Sequence, residues 1–426
     1  MISPFEQISL VAKKFSMWGW KGVFEYLTRP FRKDPLKTFF IRNAKDHPYA
    51  ASEPGITIVG PLSTPAKATS KVLRDFAFSL KASGIPFQTY DTGSREIPAS
   101  ELAGILTPVE DFRIRRFSHL VEMIFPNPIP DGIVDHRARI AFWEFNEGIG
   151  DAFHCLVERN EPIIAMSDFN YEYFRREFGS RVQVFKILYP LQIRTEGVLG
   201  KRECRRKFGF SETDFIVFFN FSYSSGWWRK NSVGAVRAFA RAFRDVPNAK
   251  LVLKTRALQD SSEREKELLR TAEEEGVRDK VVLFDAYMTQ EDVLDLTNVC
   301  DVYLSLHRAE GFGLGIAEAM MLSKVVVVTD YSSTTEFCKK DHAVLVPFKM
   351  VDVKPNEKDL FWYRSVKQWA EPDIEAAAAA LKRLYEDEAL RLRLGNAARD
   401  FIRDAFSTER FRASVLSFLR GDGDCR

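Results

Sequence analysis

Five short, continuously apolar segments between residues 214 and 330 constrain the fold most strongly. They read DFIVFFNFS (214–222), AKLVLKT (249–255), KVVLFD (280–285), CDVYLSL (300–306) and KVVVVTD (324–330). Strands that are apolar without alternation are covered on both faces. Helical patterns separate them, at 231–244, 262–275, 290–298 and 314–323. This alternation predicts a parallel α/β sheet that is doubly wound, with helices on both faces.

The first half of the chain repeats the alternation less regularly. Its strand-like segments are ITIVG (56–60), IPFQTYD (85–91), HLVEMIF (119–125), ARIAFWEF (138–145), EPIIAMS (161–167) and VQVFKILYP (182–190). A helix ends near Ala82. The pattern favours a second parallel sheet.

These patterns predict the division of the chain. We place a linker near 191–212 and expect residues 373–419 to be helical throughout. The predicted parts are an N-terminal segment (1–45), a first Rossmann-like domain (46–200), a second (201–370), and C-terminal helices (371–426) that pack back on the first domain.

The composition argues against several classes of protein. The chain has 426 residues and a formal net charge of +3, whereas nucleic-acid binders usually carry a larger, clustered basic surplus. Its five cysteines are scattered, unlike those of a disulfide framework or a zinc site. No apolar run approaches the ~20 residues of a membrane span, and Lys13 and Lys14 interrupt any signal-peptide pattern. We expect a cytoplasmic protein that binds no nucleic acid.

Residues 1–45 differ from the rest in charge and aromatic content. Nine basic residues face three acidic ones, a local surplus of six. Interleaved aromatic residues include Trp18, Trp20, Phe24, Tyr26, Phe31, Phe39 and Phe40. This mixture suits an anionic membrane surface and predicts peripheral contact with the inner face of the membrane. The alternative is that the aromatic rings fold back onto the protein and the bases are solvated.

The segment HRAEGFGLGIAEAM (307–320) follows directly after the strand CDVYLSL. Its glycines let the backbone approach a ligand closely, and the helix that follows presents free N–H groups to an anion. Ligands of open α/β sheets bind beyond the carboxyl ends of the strands. A diphosphate suits such a turn, with sugar hydroxyls facing Glu310 and Glu318 on either side. The alternative is an ordinary glycine-rich turn with solvated acids.

EGFGLGIAEAM resembles the motif of two acids separated by seven residues in the retaining glycosyltransferases of family four. The resemblance extends over DVYLSLHRAEGFGLGIAEAMMLSKVVVVTDYSSTTEF and FNFSYSSGWWRKNSVGAVRAFARAF, where such enzymes carry a basic pair at the head of a helix. GITIVGPLSTP and RIAFWEF look like counterparts in the acceptor domain. The resemblance implies the GT-B fold, in which two Rossmann-like domains face a central cleft. It also implies transfer of a sugar from a nucleoside-diphosphate sugar with retention of configuration.

The resemblance assigns roles to matching residues. Glu310 matches the first acid, beside the donor sugar, and Glu318 matches the second, which binds the ribose. Lys230, with Arg229 beside it, matches the lysine that neutralises the diphosphate, and with Glu310 these are the predicted catalytic residues. The other predicted donor-binding residues are Gly311, Phe312, Gly313, Leu314, Lys254, Arg256, Tyr287 and Met288.

The chemistry implied by the resemblance needs cations and helix amides that stabilise charge on the leaving oxygen. No Asp-x-Asp motif ends a strand, and DGD (422–424) lies in the tail. We therefore expect neither a metal nor another cofactor, since the nucleotide sugar is a substrate.

The sequence departs from the family pattern in two places. Many relatives carry a separate arginine several residues before the lysine, where this chain has Ser224 and Ser225. Arg256 or Arg308 are candidate substitutes. Many relatives also have a glycine-rich loop after the first strand, whereas PLSTPAKATSK contains no glycine after Gly60. Because of these departures, the resemblance does not predict how the acceptor is bound.

A few further residues are weaker candidates. On the acceptor side, His119 loosely matches a histidine that relatives place near the sugar, and Glu144 is expected to face the cleft. His307 either touches substrate or supports local structure. Trp227 and Trp228 either cap the diphosphate or pack between the domains.

Together these features predict an enzyme that moves a sugar from a nucleoside-diphosphate sugar to a glycan or glycolipid acceptor. The acceptor would be lipid-linked or a polysaccharide, in the biosynthesis of cell-surface glycans. Two alternatives stay open: a nucleotide-sugar epimerase with the same architecture, and a catalytically silent scaffold in a glycan assembly complex. The sequence identifies neither the base, the sugar nor the acceptor.

Overall fold

A computed structural model of the chain describes residues 35–46, 53–64, 68–97, 100–114, 117–123, 136–149, 153, 157–191, 198–255, 262–354, 357 and 363–422. Within these residues the strands form two six-stranded sheets and one two-stranded ribbon. All pairings inside the two large sheets are parallel. The predicted α/β class, with two doubly wound parallel sheets, is confirmed.

The first sheet has the strand order β2-β1-β3-β4-β5-β6. Its strands are β1 (Glu53–Gly60), β2 (Phe87–Asp91), β3 (Phe117–Met123), β4 (Arg137–Ala141), β5 (Ile163–Ala165) and β6 (Val184–Lys186). The helices of this half are α1 (Pro35–Asp46), α2 (Ala68–Ala82) and α3 (Asp168–Phe178). Strand β4 ends earlier than predicted, because the backbone N–H of Trp143 donates to the Asn170 side chain (2.6 Å) rather than to a neighbouring strand.

The second sheet has the order β12-β11-β10-β7-β8-β9, with its switch point between β10 and β7. Its strands are β7 (Phe215–Asn220), β8 (Ala249–Thr255), β9 (Val281–Asp285), β10 (Val302–Ser305), β11 (Val325–Thr329) and β12 (Val344–Val346). The antiparallel ribbon pairs β13 (Phe348–Asp352) with β14 (Gln368–Pro372). Every residue of β10 and β11 is buried, as expected for strands covered on both faces.

The helices of the second half surround this sheet. They are α4 (Lys201–Lys207), α5 (Trp227–Lys230), α6 (Ser232–Phe243), α7 (Ser262–Glu274), α8 (Gln290–Asn298), α9 (Leu314–Met321), α10 (Ile374–Glu386), α11 (Glu388–Ala405) and α12 (Thr408–Arg420). Helix α4 lies inside the predicted linker and packs against α8. The region predicted as helical throughout is three helices, since the chain breaks at Asp387 and again at 406–407.

The last helix, α12, returns to the first sheet. It packs against α2 and β6, with Phe411 edge-on to Phe76 at 5.6 Å. Arg412 donates to the carbonyl of Ser83 (3.1 Å), and the N–H of Leu188 donates to Ser414 (3.1 Å). Helices α10 and α11 instead pack on the second half, against α6 and α9 respectively. The last helix therefore ties the two halves of the chain together.

The end of the basic N-terminal segment belongs to the first sheet's domain. Phe40 of α1 is fully buried and its ring lies 4.9 Å from that of Tyr90, on which Phe39 stacks at the same distance. The side chain of Asn43 donates to the carbonyl of Phe112 (3.1 Å). The prediction that Phe39 and Phe40 face a membrane is therefore wrong, because this helix packs them against the sheet domain.

The other aromatic residues of that segment, including Trp18 and Trp20, lie outside the described residues. Among the helices that the structure describes, none combines the length and the apolar character needed to cross a bilayer. Membrane contact through residues 1–34 stays a prediction.

We expect the full chain to bind anionic vesicles at low salt and to release most of them at high salt. Each base near such a surface contributes about 1 kcal/mol at most, and salt screens that attraction. Sedimentation of Lys13→Gln/Lys14→Gln should show weaker binding, whereas the exposed pair Lys349→Gln/Lys354→Gln serves as the matched control. If the unaltered protein ignores anionic vesicles at low salt, the membrane prediction is wrong.

Candidate active site

The candidate site lies where the carboxyl ends of the two sheets face each other. Glu310 follows β10, and the basic pair Arg229 and Lys230 ends the short helix after β7. Lys230 forms an ion pair with the carboxylate of Glu310. Arg229 lies 3.5 Å from the carboxylates of both Glu310 and Glu144, so the first domain contributes an acid to the same cluster. The structure thus brings four of the predicted residues together.

Backbone contacts hold the basic pair in place. The guanidinium of Arg229 is buried and donates to the carbonyls of Ala309 (2.6 Å) and Ser225 (2.7 Å). Asn231 adopts the left-handed conformation (φ 56°), caps α6 and donates to the carbonyl of Leu306 (2.9 Å). The head of α6 is therefore fastened to the end of β10, which fixes the position of Lys230 beside the glycine turn.

The charges of the cluster keep Glu310 ionised. Burial raises the pKa of this carboxyl, but Lys230 and Arg229 more than offset that effect, and the net pKa falls to about 2. Glu310 therefore remains a carboxylate throughout the physiological pH range.

The glycine turn between Glu310 and α9 is tightly enclosed. Gly313 has φ 97°, and a Cβ there would lie 2.7 Å from the side chain of Thr334. Only glycine fits such a conformation and such a contact. A Cβ on Gly311 would lie 3.4 Å from Phe142 and 3.5 Å from Glu144 of the first domain. The turn is therefore packed between the two domains.

Three polar residues that the sequence analysis missed support this turn. The N–H of Glu310 donates to Ser332 (2.9 Å), which adopts φ 65°. The buried side chain of Asn170, in α3 of the first domain, donates to the carbonyl of Gly311 (3.1 Å) and to Ser333 (3.1 Å). No local motif marks these residues. The one available signal was that Ser332 and Ser333 follow a strand end at the ligand edge.

Glu318 lies inside α9 and does not belong to the cluster around Glu310. It is 4% exposed, and its carboxylate accepts a hydrogen bond from Gln290 (2.9 Å). Lys71 of α2, in the first domain, places its ammonium 3.8 Å from the same oxygen and 2.6 Å from Asp75. Neither Lys71 nor Asp75 was predicted from the sequence. Their spacing of four residues in the helix after the first strand was the available signal.

The remaining predicted donor residues that the structure describes differ in their surroundings. Lys254 is buried and donates to the carbonyls of Thr255 (3.1 Å) and Ala286 (3.2 Å). Tyr287 is 53% exposed, and Met288 packs against the core. Leu314 is half-buried at the start of α9, and Arg256 lies outside the described residues.

Phe312 has a packing role that the resemblance did not indicate. Its ring is buried and stacks on Tyr189 of the first domain, with ring centroids 3.9 Å apart. Phe337 and Phe406 contact its other sides. This side chain therefore packs between the two domains.

His119 does not lie at the site. It is near the amino end of β3, 5.4 Å from the ring of His136 and 4.8 Å from that of Phe418 in α12. In a parallel sheet this is the end opposite the cleft. Its predicted place near the sugar is therefore wrong, because the loose match ignored its position in the strand.

Several other candidates prove to support local structure. His307 is fully buried and contacts Ser305 (3.1 Å) and the carbonyl of Tyr331 (3.3 Å). Burial lowers the pKa of His307 to about 4, so this ring is neutral. Trp227 packs in the core of the second domain. Arg308 donates to Glu371 (2.5 Å) and to the carbonyl of Trp228 (2.7 Å).

Two facing parallel sheets with a cleft between their carboxyl ends define the GT-B fold. Sucrose-phosphate synthase from Thermosynechococcus elongatus has this arrangement with a TM-score of 0.62 at 14% identity, over 87% of this chain and 99% of that chain. HepE from Anabaena, solved in complex with UDP-glucose, gives a TM-score of 0.60 at 14% identity, over 86% of this chain and 99% of that chain. The predicted GT-B fold is confirmed.

Sequence comparison finds a match in the second half of the chain. Residues 200–354, about a third of the chain, match the family described as glycosyl transferases group 1. The serotype-specific mannosyltransferase WbdA from Escherichia coli is 29% identical over 107 residues, which is 24% of this chain and 13% of WbdA. The match thus spans about an eighth of the length of that relative. The predicted resemblance to this group of glycosyltransferases is confirmed.

Proposed function

We propose that this protein is a retaining glycosyltransferase that moves a sugar from a nucleoside-diphosphate sugar to a glycan or glycolipid acceptor. The observation that carries the proposal is the cluster of Glu310, Lys230 and Arg229 at the mouth of the glycine turn. It lies within residues 200–354, which match the group 1 family. Fold alone would not suffice, since one fold hosts many activities.

The cluster suits the departure of a nucleoside diphosphate. As the bond to the sugar breaks, negative charge grows on the leaving oxygen, and preorganised cations stabilise it most effectively in a site closed to water. Lys230 and the first amides of α9 are positioned for the diphosphate. Once Lys230 turns to a phosphate, Glu310 is released to face the sugar, whose ring carbon becomes positively charged.

The names of the relatives support a particular class of donor and acceptor. HepE is a protein solved with UDP-glucose, and WbdA is a serotype-specific mannosyltransferase. For this chain we propose a hexose donor and a cell-surface glycan acceptor, lipid-linked or polysaccharide. Cytoplasmic chemistry at the inner face of the membrane accords with the basic segment 1–34.

A thermal-shift screen tests donor binding. UDP, GDP, ADP and their hexose derivatives are added separately, and the melting temperature is recorded. A ligand at a hundred times its Kd stabilises the fold by about 2.7 kcal/mol, which raises the melting temperature of a two-domain protein measurably. The true donor base should stand out from the others. Failure of every nucleoside diphosphate to raise it would contradict the proposal.

We expect turnover to survive chelation by EDTA. Among the residues that the structure describes, no three His, Cys, Asp or Glu side chains are grouped to hold a metal ion, and cations of the protein face the proposed diphosphate. The assay compares initial rates before and after chelation, with added Mg²⁺ as the reference. A loss of activity that Mg²⁺ restores would show that the leaving group depends on a metal.

A further inference from the structure

Glu318 is enclosed by groups from both domains. The described titratable groups that face its carboxylate are Lys71 and Asp75 of α2, Tyr189 after β6, and Tyr303 of β10. Lys71 is the cation of this set, and its side chain is only 13% exposed. A carboxylate removed from water is costly unless a partner charge compensates it. Lys71 therefore supplies the charge that allows an ionised Glu318 at this depth.

The geometry leaves the carboxylate free to accept further hydrogen bonds. Gln290 occupies one position on Oε1 at 2.9 Å, and the Lys71 ammonium stands back at 3.8 Å because it donates to Asp75 at 2.6 Å. An ionised carboxylate has about four acceptor positions, whereas a protonated one has turned an oxygen into a donor. Two hydroxyl groups of one ribose need two acceptor positions, and they bind a charged acceptor more strongly, so they favour the ionised form.

We propose that Lys71 is a positioning residue of the donor site: from the opposite domain, it keeps Glu318 an ionised acceptor for the ribose diol. Asp75 holds the lysine at the required distance, which prevents Lys71 from taking the acceptor positions itself. This inference rests on the proposed function, because it takes the ribose of a nucleoside diphosphate as the ligand of Glu318. It adds that the acceptor-side domain helps to bind the donor.

The proposal has a signature in pH. Burial raises the pKa of Glu318, and Lys71 opposes that rise. Removing the lysine therefore raises the pKa of Glu318 further. Since the ribose favours the carboxylate, affinity persists above this pKa and falls as the pH drops through it, by at most about tenfold for each pH unit below. A side chain that served only to pack the domains together would weaken binding equally at every pH.

The test is calorimetric titration of the full-length protein with UDP and with GDP between pH 5.5 and 8.5. The unaltered protein should bind the preferred diphosphate with little change over this range. Lys71→Met should approach it at pH 8.5 and fall at least tenfold behind at pH 5.5. Lys71→Met/Asp75→Asn avoids leaving the Asp75 carboxylate unpaired where the single variant folds poorly. It should also lose affinity at low pH, with a midpoint at lower pH than Lys71→Met, because Asp75 raises the pKa of Glu318.

Lys186→Met is the matched control. Lys186 also bridges the domains, pairing with Glu336 at 3.1 Å, but it does not contact Glu318. The affinity of Lys186→Met for the diphosphate should therefore equal that of the unaltered protein at each pH. Lys71→Met affinity that is unchanged, or lowered equally at all pH values, overturns this inference and leaves the proposed function standing. If the unaltered protein binds no nucleoside diphosphate at any pH, the proposed function falls, and this inference with it.

Discussion

Replacing Lys230 by alanine is expected to lower kcat roughly a hundredfold, because loss of one stabiliser of transition-state charge costs about 3 kcal/mol. The free energy of unfolding should fall by much less than this. Arg229 remains 3.5 Å from Glu310, so the carboxylate is not left without a cation. Steady-state kinetics and a melting curve on the same preparation separate the two effects.

A control for this variant lies at the amino ends of the strands of the same sheet, opposite the candidate site. Lys201 pairs with Asp301 (2.6 Å), which directly precedes β10. Lys201→Ala also removes an ion-paired lysine, but kcat should stay near that of the unaltered protein. A near-normal kcat in Lys230→Ala would mean that the diphosphate does not bind at this cluster. The proposed chemistry would then lose its main support.

Substitutions of Glu310 and of Glu318 are expected to have different effects. Glu310→Gln should lower kcat by about a hundredfold and leave the Kd for the bare nucleoside diphosphate nearly unchanged, because the proposal places Glu310 beside the sugar. Glu318→Gln should weaken binding of the bare diphosphate by about ten- to a hundredfold, since it loses hydrogen bonds to a charged acceptor. Calorimetry with the diphosphate and kinetics with the full donor measure the two quantities separately.

Each variant is the control for the other, since both replace a largely buried glutamate of the same segment by its amide. If both weaken the bare diphosphate equally, the separation between a sugar-facing acid and a ribose-facing acid is wrong. A drop in melting temperature shared by both would be a structural effect and does not enter this comparison.

Much of the second domain could be predicted from the sequence because its signals are local. The runs around Val325–Val328 and Phe215–Phe219 are apolar throughout and fully buried in the structure. The glycine turn is marked by residue types that only such a turn requires, as the φ of 97° at Gly313 shows. Position after a strand then places Glu310 at the ligand edge without further information.

The first domain's share of the site could not be predicted in this way. Lys71 and Asn170 contact Glu318 and Gly311 across the boundary between the two domains, and no spacing in the sequence records a contact between such distant segments. The same limit explains the error at His119, whose residue type matched while its place in the strand did not. Phe40 was misplaced because a basic and aromatic composition does not distinguish a helix packed on a sheet from one at a membrane.

The most direct test of the proposed function is a turnover assay with the donor found in the thermal-shift screen. Nucleoside diphosphate and sugar products are followed by mass spectrometry, with and without a glycan acceptor such as a short lipid-linked oligosaccharide. The proposal predicts that the sugar appears on the acceptor, that diphosphate is released in equal amount, and that Lys230→Ala and Glu310→Gln abolish most of both. Conversion of the donor to an isomeric nucleotide sugar without acceptor, or tight donor binding with no turnover on any acceptor, would contradict it.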